Sequence, residues 1–169
     1  MYLHNFGVNL QINLYTHKFT MNQLNLPSYP FRIKKIENKT FIFDALRRKY
    51  VSLTPEEWVR QHFVMYLIRE KHFPAGRIGN EISVSLNGQK RRCDTVVYDS
   101  FGTPMVIVEY KASDVTLTQD VFDQIYRYNI VLKVRYLIVT NGRDLYCCRI
   151  DYDTLSAQFV NEVPNYADL

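Results

Sequence analysis

The run Met105-Val-Ile-Val108, ending on Glu109-Tyr-Lys111, restricts the fold more than any other stretch of the chain. Its residues are apolar at odd and even positions alike, so a strand made of them buries both faces and belongs in the middle of a sheet covered by helices. Val134 to Thr140 has the same character. A chain of 169 residues fits one domain, which can bury roughly two-thirds of its unfolded surface.

The flanking signals supply the cover. Thr54 suits an N-cap, Pro55 the first helical position, and Glu56 and Glu57 the positive end of a helix. The helix predicted there runs to about Lys71, with Val59, Phe63, Tyr66 and Leu67 at helical spacing and Val64 and Ile68 widening the stripe. A second helix is predicted over Gln119 to Leu132, with Thr116 and Thr118 as candidate caps. Phe31 to Phe43 reads as a hairpin around Glu37-Asn-Lys39. Glu81 to Leu86 and Arg91 to Tyr98 read as strands joined at Asn87-Gly88, and Asp99 to Pro104 as the turn into the apolar strand. Asn141-Gly142 reads as a turn into a last strand, Leu145 to Ile150. The order of elements argues for a mixed α/β (α+β) domain, a mixed sheet flanked by helices. Residues 1–27 read as an N-terminal extension, flexible or carrying a short strand over Val8 to Leu14, with Met21 a second candidate start. Residues 28–150 form the domain, and residues 151–169 a tail without clear pattern.

Composition narrows the function classes only a little. Hydrophobic residues make up 47% and charged residues 22%, which excludes a disordered chain. The net charge of +4 permits an anionic partner without demanding one. Cys93, Cys147 and Cys148 have no C-x-x-C spacing and read as reduced thiols in a cytoplasmic protein. His4, His17, His62 and His72 form no H-x-x-x-H pair and are assigned no metal. No apolar run approaches the roughly 20 residues that cross a bilayer, so no membrane role is expected.

The chemistry lies at the charged end of the apolar strand. Strand periodicity puts Glu109 and Lys111 on one face, roughly 7 Å apart. A hairpin centred between Phe101 and Gly102 pairs residues whose numbers sum to about 203, which sets Asp94 across from Glu109 with Cβ atoms about 5 Å apart. Carboxylates so close repel unless a cation sits between them. Mg²⁺ suits such a pair, because it takes carboxylate oxygens and keeps waters and substrate phosphate in its octahedron. Lys111 could orient or deprotonate the attacking water, or stabilise developing charge. The bland alternative for any Glu-x-Lys on a strand is a surface pair. Here, however, the residues end a buried strand, where a charge must be paired or metal-bound.

Asp94, Glu109, Lys111 and their hairpin resemble the PD-(D/E)xK nuclease superfamily, with Cys-Asp in place of Pro-Asp. More narrowly, Thr54-Pro-Glu-Glu-Trp-Val-Arg-Gln61, Arg92-x-Asp94, Val108-Glu-Tyr-Lys-Ala112, Gln124-Ile-Tyr-Arg-Tyr-Asn129 and Val139-Thr-Asn-Gly142 resemble the N-terminal nuclease domain of type I restriction enzyme R subunits. The resemblance runs from about residue 28 to 150. It implies a restriction-endonuclease-like core with an N-terminal hairpin and a Mg²⁺-dependent DNA endonuclease, with Mn²⁺ as a substitute ion. By the same resemblance Asp94, Glu109 and the backbone carbonyl of Tyr110 hold the metal. An acid of the first helix, Glu57 with Glu56 as the neighbouring alternative, assists. Gln124 and Tyr128, four apart on one helix face, stand beside the site.

For Glu57 the plain alternative is an acid that only complements the helix dipole, and for Gln124 and Tyr128 an ordinary polar helix face. Lys34, Lys35, Arg47, Arg48, Lys49, Lys90, Arg91 and Arg92 are candidate phosphate contacts or merely a solvated surface. None of the six glycines builds a P-loop, so no motor is expected in this chain. The expected partners are DNA and separately encoded restriction-modification or helicase subunits, and a homodimer is compatible with the reading. The rival reading is a non-catalytic DNA-binding or protein-interaction module that keeps the fold. A nuclease acting on RNA or on free ends would use the same residues.

Overall fold

The computed structural model describes residues 23–86 and 88–169. The candidate strand Val8 to Leu14, the start at Met21, His4, His17 and Asn87 of the expected turn lie outside the described residues. Gly88 of that turn has φ of 77°, a left-handed conformation that glycine adopts at little cost.

The apolar run forms β6 (Pro104–Tyr110), an interior strand of a six-stranded sheet in the order β4-β5-β6-β7-β8-β9. Its neighbours are β5 (Gln89–Tyr98), which is antiparallel to it, and β7 (Tyr136–Thr140), which is parallel. The β5–β6 register is Thr95↔Val108, Val96↔Ile107 and Val97↔Val106. These pairs keep the expected sum, and an irregularity at Val97/Tyr98 absorbs the longer turn. β4 (Ile78–Leu86) flanks β5 on its other side.

A parallel pair needs a crossover, and α2 (Gln119–Leu132) supplies it between β6 and β7. Its Val121, Ile125 and Tyr128 pack with Ile107, Leu137 and Val139 in one cluster on the sheet. The other face of β6, Val106, Val108 and Tyr110, packs with Val59, Phe63 and Leu67 of α1 (Pro55–Arg69). Thr54 Oγ1 accepts the Glu57 N–H at 3.0 Å, the N-cap its sequence predicts. Thus the two-faced hydrophobicity of β6 is met by one helix on each side, the mixed α/β class expected from the sequence.

Three stretches differ from the sequence reading. Lys49–Ser52, of which the sequence reading picks out only Lys49 for its charge, is a third strand β3 on the hairpin of β1 (Ile33–Ile36) and β2 (Lys39–Asp44). No turn signal marks its start, because Arg48, at φ of 53°, makes the turn without glycine. Residues 151–169, read as a patternless tail, carry β9 (Ser156–Val160), which pairs with β8 (Leu145–Asp151) along the sheet edge. Four of the five β9 residues are exposed, so no alternation marks the strand. Val163 beyond it is fully buried in the α1 cluster. Residues 23–27, placed in the N-terminal extension, lie against the β7–β8 turn, where Asn25 N donates to Gly142 O at 2.7 Å.

Val163→Ala is expected to destabilise the protein by about 2 kcal/mol, the loss of two buried carbons plus a residual cavity. Urea denaturation checks this, and a midpoint equal to wild type would show that the C-terminal segment is not part of the core.

Candidate metal centre

The β5–β6 ladder stops at Thr95↔Val108, and Asp94 takes over where it ends. Its Oδ2 accepts the Tyr110 backbone N–H at 3.0 Å, and its Oδ1 accepts from Arg60 Nη2 at 2.8 Å. The aspartate is thereby fixed from β6 on one side and from α1 on the other. Tyr110 is wholly buried, its hydroxyl donating to Thr95 Oγ1 at 3.1 Å and its ring against Phe63. That packing holds rigid the backbone whose carbonyl is an expected ligand.

Glu109 is 3% exposed. Its Oε1 accepts from Lys111 Nζ at 3.0 Å and from Gln124 Nε2 at 2.5 Å. Its Oε2 is buried with no partner. Gln124 also reaches the Tyr128 hydroxyl, at 3.5 Å, the outer limit for a hydrogen bond. The structure therefore brings Glu109, Lys111, Gln124 and Tyr128 together, with Asp94 near enough that its charge acts on Glu109.

The two helix acids have different surroundings. Glu57 is buried among donors: Arg47 Nη2 at 2.8 Å and Gln61 Nε2 at 2.8 Å on Oε1, and Arg60 Nη1 at 2.9 Å on Oε2. Glu56 is half-buried, and its carboxyl responds to Asp94, Lys111, Arg60 and Glu81. Glu56 thus lies within the electrostatic reach of Asp94 and Lys111, while Glu57 holds Arg47 and shares Arg60 with Asp94. Arg60, Glu81 and Asp44 belong to the same network and were not singled out from the sequence. Arg60 pairs with Glu81 at 2.6 Å, and Asp44 holds Arg47 at 2.5 Å. One signal was available, since Glu57, Arg60 and Gln61 stand three and four apart on one helix face.

Of the basic runs, Arg47 and Arg92 are committed to carboxylates, the latter to Glu81 at 2.8 Å. Arg91 instead donates to the neutral Gln89 at 2.9 Å. Arg91 and Arg127 line, with Gln124 and Tyr128, a cleft of about 470 Å³. Gln124 connects that cleft to Glu109.

The donor set fits a hard divalent ion. Most buried polar groups have a partner, and a carboxylate oxygen buried without one asks for a cation. Among the described residues no three His, Cys, Asp or Glu side chains form a metal-holding group. An ion here would rest on Asp94, Glu109, the Tyr110 carbonyl and waters, and Mg²⁺ commonly binds through one or two carboxylates.

The family model described as "Type I restriction enzyme R protein N terminus" matches residues 55–164, well over half of the chain. The chain belongs to this family. A solved fragment described as an HsdR subunit of a type I restriction enzyme from Vibrio vulnificus YJ016 is similar over 67% of this chain and 24% of that one, at 19% identity and a TM-score of 0.49. No curated protein matches the chain. Among the described residues no helix is long and apolar enough to cross a membrane.

In this member of the type I R-protein N-terminal family, burial and the neighbouring Asp94 push the Glu109 carboxyl up to about 7. Burial also raises Asp94, against the pull of Arg60. Burial lowers the Lys111 ammonium pKa, but the charge and hydrogen bond of Glu109 outweigh it, and the net shift is upward. The Lys111 ammonium is thus held by the Glu109 carboxylate.

The Glu109 shift fixes a sign. Its folded pKa lies above the ordinary glutamate value of 4.5, so between about 4.5 and 7 the folded state holds a proton the unfolded state has lost, and stability falls as pH rises through that window. With EDTA present, thermal unfolding of wild type is expected to show this fall and Glu109→Gln a flatter profile. Parallel profiles for the two proteins would remove Glu109 as its source.

Proposed function

We propose that the chain is a Mg²⁺-dependent DNA endonuclease module, with Mn²⁺ as a substitute ion. In this reading it acts with separately encoded restriction-modification or helicase subunits. The observation that carries the reading is the unpartnered, buried Glu109 Oε2, set beside Asp94 and Lys111 at the end of β6. Family membership supports a restriction-enzyme role in general terms.

A bound divalent ion supplies an acidified water and neutralises phosphate charge. The protein's own residues do the rest. Asp94, pinned by Arg60 and the Tyr110 N–H, presents a carboxylate whose position does not depend on the ion. Glu109 is steered by Lys111 and Gln124, both on Oε1, which leaves Oε2 for the ion. The Lys111 ammonium, within reach of the same volume, donates hydrogen bonds to the charge that develops on phosphate oxygens. Glu56, raised by burial and by Asp94, is a further acid whose charge is coupled to the site. Arg91 and Arg127 take backbone phosphates in the cleft that leads to Gln124.

Supercoiled plasmid with Mg²⁺ tests the reading. Cleavage is expected to stop with EDTA and to fall about 10²- to 10³-fold in Lys111→Ala and Asp94→Ala. Undiminished cleavage in either variant would remove that residue from the site. RNA and single-stranded substrates, run alongside, set the nucleic-acid preference. For the cleft, DNA affinity in Ca²⁺ measured against salt is expected to lose about one unit of log–log slope in Arg127→Ala, uniformly across sequences. An unchanged slope places the phosphate path elsewhere.

A further inference from the structure

The guanidinium of Arg60 sits where three carboxylates converge. Its Nη1 lies 2.9 Å from Glu57 Oε2 and 2.6 Å from Glu81 Oε1, and its Nη2 2.8 Å from Asp94 Oδ1. The side chain is 5% exposed, lies 5.6 Å from the Tyr110 ring centroid, and buries an unpartnered Nε. A surface ion pair needs one acid. Three acids on one buried guanidinium form a cation site whose cation is covalently attached to α1.

We propose that Arg60 stands in for a second divalent cation, so that the centre takes one metal ion per chain. The proposal rests on the metal-dependent reading of this site. Committed oxygens support it. Glu57 Oε1 is held by Arg47 and Gln61 and its Oε2 by Arg60; Glu81 Oε1 is held by Arg60 and its Oε2 by Arg92; Asp94 Oδ1 is held by Arg60, which leaves Oδ2, with the Tyr110 N–H as its single donor, to share one ion with Glu109. Among the described residues, Glu109 Oε2 is the one buried carboxylate oxygen left without a partner.

Charge counting agrees. Ionised Asp44, Glu56, Glu57, Glu81, Asp94 and Glu109 bring six negative charges against four positive ones on Arg47, Arg60, Arg92 and Lys111. The remainder of two is the charge of a single divalent ion. Without Arg60, Arg47 would still hold Glu57 and Arg92 would still hold Glu81, but the point where these two acids meet Asp94 would lack a cation, an arrangement that raises carboxyl pKa values or recruits a metal. Arginine suits the task better than lysine, because its planar fork offers five donors and stays charged when buried.

Mn²⁺ titrated into the whole chain at pH 8, followed by calorimetry and by the electron paramagnetic resonance signal of free Mn²⁺, is expected to count one ion per chain in wild type. Arg60→Met, which keeps the length and removes the charge, is expected to take two ions and to show a larger Mn²⁺-dependent rise in Tm than wild type. Arg60→Lys is expected to return the count to one. An arginine with a purely structural role would lower Tm in Arg60→Met equally with and without metal. That result, or two ions in wild type, overturns the proposal and leaves the metal-dependent reading standing. No ion bound by wild type overturns both, and the wild-type count decides even if Arg60→Met does not fold.

Discussion

The constraint on which the structure depends is the burial of a carboxylate at the end of an apolar strand. β6 is interior because its residues are apolar on both faces, and Glu109 enters the interior with it. A charge in that position must be neutralised, hydrogen-bonded or paired. Lys111 and Gln124 satisfy one oxygen, and the other is buried without a partner. The fold thus holds a carboxyl whose second oxygen is met by a proton or by a cation.

Behind Glu109 the protein answers the same problem with arginines. Arg47 and Arg60 bind the acids of β2, α1, β4 and β5 into one network that runs from Asp44 through Glu57 to Glu81 and Asp94. Buried ion pairs of this kind contribute little net stability, since desolvation offsets most of their attraction. Their value here is positional: each carboxylate is held by donors from different elements, so the geometry of the site is set by the packing of α1 on the sheet. The cost falls on Arg60, whose Nε is buried without a partner.

Much of this was legible in the residues. Thr54-Pro55 marked the start of α1, and the sum rule of the β5–β6 hairpin set Asp94 at the height of Glu109, because local turn geometry and strand period are written in short stretches of sequence. β9 was not legible, since an edge strand with four exposed residues has no alternation to read. Arg60 and Glu81 were passed over for a related reason. A charged residue on a helix or at a strand irregularity looks like solvent-facing surface until the partner from another element is known.

Short-range pattern in the residues is enough to specify the interior strand, the helix on each side of it, and the register that carries Asp94, Glu109 and Lys111 to one end of a sheet. The assembled fold alone reveals that Glu57 is taken up by Arg47, Arg60 and Gln61, and which other carboxylate oxygens already have donors. Periodicity fixes where a residue sits along its own element to within a turn or a register step. The approach of α1 to β5, which sets Arg60 on Asp94 and turns Glu57 toward Arg47, depends on the packing of Val59, Phe63 and Leu67 against β6, a contact between segments that share no local pattern.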